Sequence, residues 1–284
     1  MLTNTLNLLF NLPMVEIKLY NIVHILVVLF FPAMAIATYF IFRKRSEKAK
    51  LIYIWIIMGI AFFATWITFF TALITDDNNQ RINFFARLPL HMCSINVILY
   101  PLFFGLRNKM NKFFRSTTFA YMYFMGSLGA VLAMVVTAPS DCAGVGINLL
   151  RYNVFTYWLK HGLIFIIPFL FVALGYYRPK ILDIFKAILF LLCLLTIMEI
   201  VNLVFTQLNY SIGGTEIANF FYTRTGKGTA VLEILWNLFP VELLYLLPLG
   251  LVAIPLFALY YLPYGVVDIV NLIKRKRNLK KQNQ

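Results

Sequence analysis

The sequence predicts an all-α, polytopic membrane protein built as a single bundle of seven transmembrane helices. Hydrophobic residues make up 61% of the 284 residues and charged residues only 13%, whereas soluble domains carry about 45–50% apolar and about 25% charged residues. The mean hydropathy is +0.80. Because a span needs about 20 consecutive apolar residues, seven stretches qualify, at about 19–42, 51–74, 88–106, 116–137, 158–177, 187–206 and 243–264.

The distribution of positive charge predicts the orientation of this bundle. Lysine and arginine are concentrated in every second connection, and 18 of the 25 cations lie in the segments 43–50, 107–115, 178–186 and 274–281. Because loops rich in Lys and Arg stay in the cytoplasm, we expect the N-terminus outside and the C-terminus inside. The predicted regions are a short extracellular N-terminus, a seven-span domain, an extracellular loop within it and a basic cytoplasmic tail, at 1–18, 19–264, 207–242 and 265–284.

The net charge of +14 indicates a lipid partner for the tail. The basic run Lys274-Arg275-Lys276-Arg277 directly follows the last predicted span, and basic segments in this position attract anionic lipid headgroups. We therefore expect the tail to contact anionic lipids and not nucleic acid. The compact helical chain and the tail rich in Lys and Asn favour a bacterial plasma membrane.

The polar residues inside the predicted spans fall at one depth. At 1.5 Å per residue, the outer ~10 Å of the bilayer holds His24, His91, Cys93, His161, Glu199 and Asn202. The inner half of the bundle is nearly pure hydrocarbon. Because ionisable groups inside a membrane are costly and mark functional sites by default, we expect the functional site in this outer layer.

Cys93 is the candidate nucleophile of this layer. Pro89 is predicted as the first helical position of span 3, which places Cys93 in the first turn, where the helix dipole stabilises a thiolate. His91 is two residues away and would point to the opposite side of a regular helix. His161, from another helix at the same depth, is therefore the better base for a Cys–His pair.

Three further polar side chains are candidates for supporting this pair. Asn96 shares a helix face with Cys93 because it lies three residues further on, so it is expected to orient the histidine or to donate to an oxyanion. Glu199 or Asn202 are alternatives for the orienting role. For Glu199 a second explanation stays open, in which it clamps two segments together through a polar partner.

Structural explanations stay open for the other thiols and histidines. An intramembrane cysteine usually acts as a small buried hydrophobe, which is the interpretation for Cys193. Cys93 is alternatively paired with Cys142 in an oxidising exterior, and His24 is expected to pack between helices. Zinc is bound by Cys and His, but no two of these residues lie four apart on one helix, so neither a metal nor a cofactor is predicted.

Three segments carry a resemblance to a known family. They are Leu88-Pro89-Leu90-His91-Met92-Cys93-Ser94, Lys160-His161-Gly162 and Ala218-Asn219-Phe220-Phe221-Tyr222. In order and spacing they resemble the YwaF-like family of bacterial membrane proteins, whose superfamily includes transmembrane protein 164. The resemblance implies an acyltransferase with a thiol as acyl carrier and a histidine as its partner, which correspond to Cys93 and His161. His91 and Asn219 match further family positions.

These observations together predict a lipid acyltransferase of the transacylase type. A fatty acyl chain would move from a phospholipid to a lysolipid or another hydroxyl acceptor through a thioester on Cys93, with His161 as the base. Two other classes stay open. One is a proton-coupled transporter that uses Glu199 in a relay, and the other is a non-catalytic scaffold or lipid receptor whose 207–242 loop binds a partner.

Overall fold

A computed structural model describes residues 14–75, 82–136, 142–227 and 230–282. Within these residues every regular element is helical, which confirms the predicted all-α class. The α-helices are α1 Ile22–Phe42, α2 Glu47–Thr75, α3 Met92–Leu106, α4 Lys112–Ala120, α5 Ser127–Val135, α6 Tyr152–Ala173, α7 Asp183–Ser211, α8 Ala230–Leu238 and α9 Leu247–Gln282. A π-helical turn joins α4 to α5 and two 3-10 turns flank α8, at Tyr121–Gly126, Phe220–Tyr222 and Leu244–Leu246.

Two of the helix starts are fixed by asparagine caps. The side chain of Asn21 accepts a hydrogen bond from the backbone N–H of His24 at 2.8 Å, and Asn111 accepts one from Phe114 at 2.8 Å. Each cap satisfies an amide that has no partner within its own helix. These caps define where α1 and α4 begin, a few residues away from the bounds set by hydropathy alone.

Six segments of the described chain are long and apolar enough to cross a membrane, namely Ile22–Phe42, Glu47–Ile74, Lys112–Val135, Tyr152–Ala173, Asp183–Ser211 and Leu244–Lys274. The chain is therefore an integral membrane protein. The predicted count of seven spans is not confirmed, because the seventh apolar helix, α3, has only 15 residues. A helix of that length is about 22 Å long, shorter than the ~30 Å hydrocarbon core. It is short because the chain before Met92 forms turns rather than helix.

The centre of the bundle is formed by α6 and by the continuous helical segment Lys112–Val135. Most residues of the apolar stretch in each of these two segments are buried, whereas in the other four candidate spans only a minority are buried. Short α3 lies alongside α6 and runs in the same direction: Phe104 stacks on Phe171 with ring centroids 4.8 Å apart. At the opposite end of the same pair, Ser94 of α3 meets Lys160 of α6.

Connecting segments close this second end of the bundle. The N-terminal segment pairs with the loop before α6, where the N–H of Ile17 donates to the carbonyl of Ile147 at 2.9 Å. The loop before α3 pairs with the loop after α7, where the N–H of Thr215 donates to the side-chain oxygen of Asn83 at 2.9 Å. The segments predicted to be extracellular therefore share one end of the bundle. Which side of the membrane this end faces stays a prediction.

The basic connections meet at the other end of the bundle. The ammonium of Lys186 donates to the hydroxyl of Ser116 at 2.7 Å, which links the start of α7 to α4. Arg178 forms an ion pair with Asp268 of α9. The helix α9 continues through the predicted tail as far as Gln282, so residues 265–282 are helical, and that they form a cytoplasmic tail stays a prediction. Residues 1–13 of the predicted N-terminal segment lie outside the described residues.

Candidate active site

Cys93 is the second residue of α3 and lies in its first turn. The helix begins at Met92, with His91 as an N-cap in extended conformation (φ −61°, ψ 157°). This start is three residues later than the predicted start at Pro89, so His91 precedes the helix and is not held on the face opposite Cys93. The His91 side chain makes no capping hydrogen bond. The first bonded amide of this end is that of Ser94, so the amides of Met92 and Cys93 remain donors at the helix end.

Lys160 of α6 is the charged residue at the centre of this cluster. Its Nζ lies 3.4 Å from the hydroxyl oxygen of Ser94. The ammonium also interacts electrostatically with four titratable side chains, those of His91, Cys93, Cys142 and His161. Sequence reasoning gave Lys160 no role. The available signal was that Lys160 is the single Lys or Arg in an otherwise uncharged predicted span.

His161 is buried in α6 with one ring nitrogen engaged. Nδ1 lies 2.8 Å from the carbonyl oxygen of Tyr157, and because a carbonyl only accepts, Nδ1 carries the proton. In the neutral ring Nε2 then keeps a lone pair and is able to act as a base. Within the described residues, no hydrogen bond joins His161 to Cys93. Catalytic hydrogen bonds are often long in the absence of substrate.

A close approach between α1 and α6 fixes the position of His161. The next residue, Gly162, faces the ring of Phe31, and a Cβ added there would lie 2.1 Å from a ring carbon. Only a glycine lets the two helices come this near without moving the ring. The backbone that carries His161 is therefore held by packing directly beside the functional side chain.

His24 has the structural role that the sequence favoured. Its Nδ1 accepts from the N–H of Tyr20 at 3.1 Å, and Nε2 lies 2.8 Å from the carbonyl oxygen of Met134. The ring also packs edge-on against Trp158, with centroids 5.4 Å apart. Because both ring nitrogens are engaged, His24 has no free lone pair, in contrast to His161.

Asn96 lies one turn below Cys93 and is fixed by a tyrosine. The hydroxyl of Tyr121 donates to Asn96 Oδ1 at 2.9 Å, and Tyr121 also interacts electrostatically with Cys93. Tyr121 begins the π-helical turn, a feature often found at functional sites. Among the described residues the buried Nδ2 of Asn96 has no hydrogen-bond partner. It is thus a donor without an acceptor, as an oxyanion contact requires.

Glu199 and Asn202 of α7 hold the loop after that helix. Asn202 donates to the carbonyl of Phe220 at 2.9 Å and accepts from its N–H at 2.8 Å. Glu199 accepts from the hydroxyl of Thr223 and lies 3.7 Å from the guanidinium of Arg224. In the part of the chain that the structure describes, neither forms a hydrogen bond with a histidine. The contacts of Glu199 are those of the alternative in which it clamps two segments together, and the orienting role stays a prediction.

The loop held in this way packs against His91. The ring of His91 lies 5.0 Å from that of Tyr222 and 5.8 Å from that of Phe220, measured between centroids. Asn219 supports the loop from within, because its amide donates to the carbonyl of Thr225 at 2.8 Å. The segments that carry the family resemblance are thus brought together, although they are far apart in the sequence.

Two adjacent bulky residues of this loop adopt the left-handed conformation. Phe221 has φ 57° and Tyr222 has φ 56°, values that are rare for large side chains. Each such residue costs about 1–3 kcal/mol and persists only where its surroundings hold it. Here the hydroxyl of Tyr245 donates to the carbonyl of Tyr222, and Asn202 binds the backbone of Phe220.

A cavity of about 340 Å³ lies between α2, α6 and the start of α3. We call it the Lys160 cavity. Its polar lining is Thr65, Thr68, Ser94, Asn153, Thr156 and Lys160, and its remaining walls are mainly apolar. The volume falls in the range of about 300–1,000 Å³ typical of small-molecule sites.

The three cysteines are thiols in this structure. No disulfide involves Cys93, Cys142 or Cys193 in the described residues, so the alternative of a Cys93–Cys142 bridge is not found. Cys193 is exposed on α7, away from the cluster around Lys160. Over the same described ranges, no group of three His, Cys, Asp or Glu side chains stands close enough to hold a metal ion.

The fold and the site define a polytopic α-helical membrane protein with a cluster of thiol, histidine and lysine at one end of its bundle. A family model described as the TMEM164 family matches residues 19–261, and the chain belongs to that family. The resemblance inferred from the three segments to the superfamily of transmembrane protein 164 is thereby confirmed. Comparison with curated proteins and with solved structures gives no match.

Proposed function

We propose that the protein is a membrane acyltransferase that carries a fatty acyl chain on Cys93 as a thioester. The donor is a membrane phospholipid, and the acceptor is a lysolipid or another hydroxyl. The observation that supports this most strongly is the position of Cys93. It lies beside uncapped helix amides and within electrostatic reach of Lys160, and the next residue, Ser94, lines a cavity of ligand size.

The first half of the reaction is acyl transfer to the thiol. The sulfur of Cys93 attacks the ester carbonyl, and the bond from that carbonyl to the glycerol oxygen breaks. Nε2 of His161 takes the thiol proton and passes it to the leaving oxygen, which gives a lysolipid. The positive helix end and the ammonium of Lys160 stabilise the thiolate against the cost of its burial, and a base is still needed to form it.

The oxyanion that forms during attack needs hydrogen-bond donors. The amides of Met92 and Cys93 and the Nδ2 of Asn96 are the donors that this end of α3 offers. One such donor is typically worth about 3 kcal/mol of transition-state stabilisation. Tyr121 acts as a positioning residue, because its bond to Oδ1 of Asn96 leaves Nδ2 as the end available to substrate.

The second half of the reaction returns the enzyme to its starting state. A lipid hydroxyl gives its proton to Nε2 of His161 and attacks the thioester carbonyl. The carbon–sulfur bond breaks, and the thiolate of Cys93 regains its proton from the histidine. Because the surrounding walls are mainly apolar, a lipid hydroxyl is favoured over water as the acceptor.

The loop around Phe220 supplies positioning rather than chemistry in this proposal. Glu199, Asn202 and Asn219 hold it, and its aromatic rings in turn support His91 at the helix start. The ion pair of Glu199 with Arg224 argues against the alternative of a transporter, since a relay needs a carboxylate that exchanges protons freely. A non-catalytic scaffold or lipid receptor is the alternative that failure of the following experiment would favour.

The proposed setting is a bacterial plasma membrane with the N-terminus outside. In this orientation the cluster around Lys160 lies in the outer leaflet and exchanges acyl chains between lipids of that leaflet. The basic residues from 274 to 281 then face the cytoplasm and contact anionic headgroups.

The test is acyl exchange by purified protein in nanodiscs that contain a labelled phospholipid and a lysolipid. Loss of the nucleophile in Cys93→Ala should reduce exchange at least about 10³-fold, and loss of the base in His161→Asn about 10²–10⁴-fold. Cys193→Ala is the matched control and should be fully active. Exchange that survives Cys93→Ala would refute the mechanism. Activity retained in His161→Asn but lost in His91→Ala would reassign the base to His91.

A further inference from the structure

The Lys160 cavity contains a cation without a described acidic partner. Its lining includes one charged side chain, Lys160, and no carboxylate among the residues that the structure describes. The ammonium makes one hydrogen bond in these residues, a long one of 3.4 Å to Ser94. A buried or partly buried charge is stable only when it is paired or hydrogen-bonded. The cation therefore has capacity for an anion.

The donors of the cavity are concentrated at one point. The hydroxyls of Thr65, Thr68 and Thr156 donate to helix carbonyls one turn back, at 2.6–3.0 Å. Their protons are thus already engaged. Ser94 only accepts in its bond with Lys160, so its hydroxyl proton is available. The ammonium and this hydroxyl are thus two adjacent donors of the described cavity, whose lining also includes the side-chain amide of Asn153.

This pair of donors suits an oxyanion, and the setting suits a lipid. The ammonium–phosphate contact is a strong charge-assisted hydrogen bond, and Lys is a common phosphate ligand. The remaining walls are mainly apolar, which suits the glycerol and the first methylenes of an acyl chain. Because Ser94 follows Cys93 directly, a phosphate bound here would place an ester of the same molecule beside the thiol.

We propose that the Lys160 cavity is a phosphate subsite, in which Lys160 and Ser94 bind the headgroup phosphate of a glycerophospholipid. The choice of a lipid as the source of the phosphate rests on the proposed function, whereas the oxyanion chemistry rests on the cavity alone. Lys160 is in this account a substrate-positioning residue, distinct from the nucleophile and the base.

The experiment measures binding in a background that cannot react. Protein carrying Cys93→Ala is delipidated in detergent, and native mass spectrometry follows the addition of phosphatidylglycerol, of diacylglycerol with the same chains, or of inorganic phosphate. Lys160→Gln should weaken phosphatidylglycerol binding about tenfold or more, the loss expected for a charge-assisted hydrogen bond. Diacylglycerol binding should not change. Lys160→Arg should retain part of the affinity, and Ser94→Ala should weaken it to a smaller extent.

Matched controls separate this subsite from general attraction to basic residues and from misfolding. Lys44→Gln removes an exposed cation from the opposite end of the bundle and should change phosphatidylglycerol binding by less than about twofold. A thermal melt of each variant establishes that it is folded. If Lys160→Gln does not fold, the comparison is made with Lys160→Arg instead.

Each outcome decides one part of the proposal. Equal phosphatidylglycerol affinity in the folded Lys160 and Lys44 variants would overturn it. If Lys160→Gln weakens the binding of inorganic phosphate but not that of phosphatidylglycerol, the oxyanion site stands and the assignment of a lipid as its ligand is wrong. Because binding is measured without Cys93, a failed acyl-exchange assay combined with Lys160-dependent lipid binding would refute the proposed reaction and leave this subsite in place.

Discussion

Removal of the Asn202 side chain should detach the aromatic loop from α7. Asn202 is fully buried, and its amide satisfies both the N–H and the carbonyl of Phe220, at 2.8 and 2.9 Å. In Asn202→Ala the N–H of Phe220 loses its described partner, whereas the carbonyl keeps a long bond of 3.5 Å from the N–H of Thr223. A buried polar group left unsatisfied costs about 1–3 kcal/mol, so the free energy of unfolding should fall by about 1–3 kcal/mol.

Two assays measure this effect. Unfolding in detergent, followed by tryptophan fluorescence, gives the change in the free energy of unfolding. Trypsin cleavage after Arg224 reports the loop itself and should become faster in Asn202→Ala. The control is Gln207→Ala, which removes an exposed amide from the same helix and should change stability by no more than about 0.5 kcal/mol. A stability loss in Asn202→Ala no larger than that of the control, with unchanged cleavage, would refute the assignment of Asn202 as the anchor.

Two further predictions concern packing and an ion pair. Gly162→Ala should destabilise the protein by about 1–3 kcal/mol, because its Cβ would lie 2.1 Å from the ring of Phe31. The control Gly59→Ala meets nothing within 4 Å and should be neutral or stabilising by up to about 1 kcal/mol. Equal melting points for the two variants would contradict the close approach. Arg87→Lys should cost about 1 kcal/mol, because the two-point contact with Glu216 needs the planar guanidinium fork. In the Glu216→Gln background the same substitution should cost close to nothing, and an equal cost in both backgrounds would refute the contact.

The membrane spans were predictable because hydropathy alone determines them. The last predicted span, 243–264, overlaps α9 at Leu247–Gln282, and the helix continues beyond the predicted apolar run. For α3 the error lies in its start. Pro89 is a good first helical residue by local preference, but the chain turns there, and hydropathy does not distinguish an apolar turn from an apolar helix.

The candidate site was predictable only where a residue type was unusual for its depth. Cys93, His91 and His161 were recognisable as polar groups in an apolar layer, and the structure relates all three to one ammonium. Lys160 itself was missed because a lysine at the edge of a predicted span is ordinarily explained by its side chain reaching the membrane surface. Only the packing of α3 against α6 shows that it faces Ser94.

The partners of Glu199 and Asn202 could not be predicted, because they lie in a loop. Sequence depth placed both at the level of the histidines, which suggested an orienting role. Their actual partners are Thr223 and Phe220, reached only after the chain reverses beyond Ser211. The π-helical turn at Tyr121–Gly126 likewise has no signature in composition or periodicity.

The most direct test of the account is the mass of the intact protein after incubation with phospholipid vesicles. We predict that wild-type protein gains one fatty acyl chain on Cys93, that neutral hydroxylamine removes it, and that Cys93→Ser gains either no adduct or one that resists hydroxylamine. The control Cys193→Ser should behave as the wild type. A wild-type protein that stays unmodified, or an adduct that persists at the same level in Cys93→Ser and remains sensitive to hydroxylamine, would contradict the claim that Cys93 carries the acyl chain.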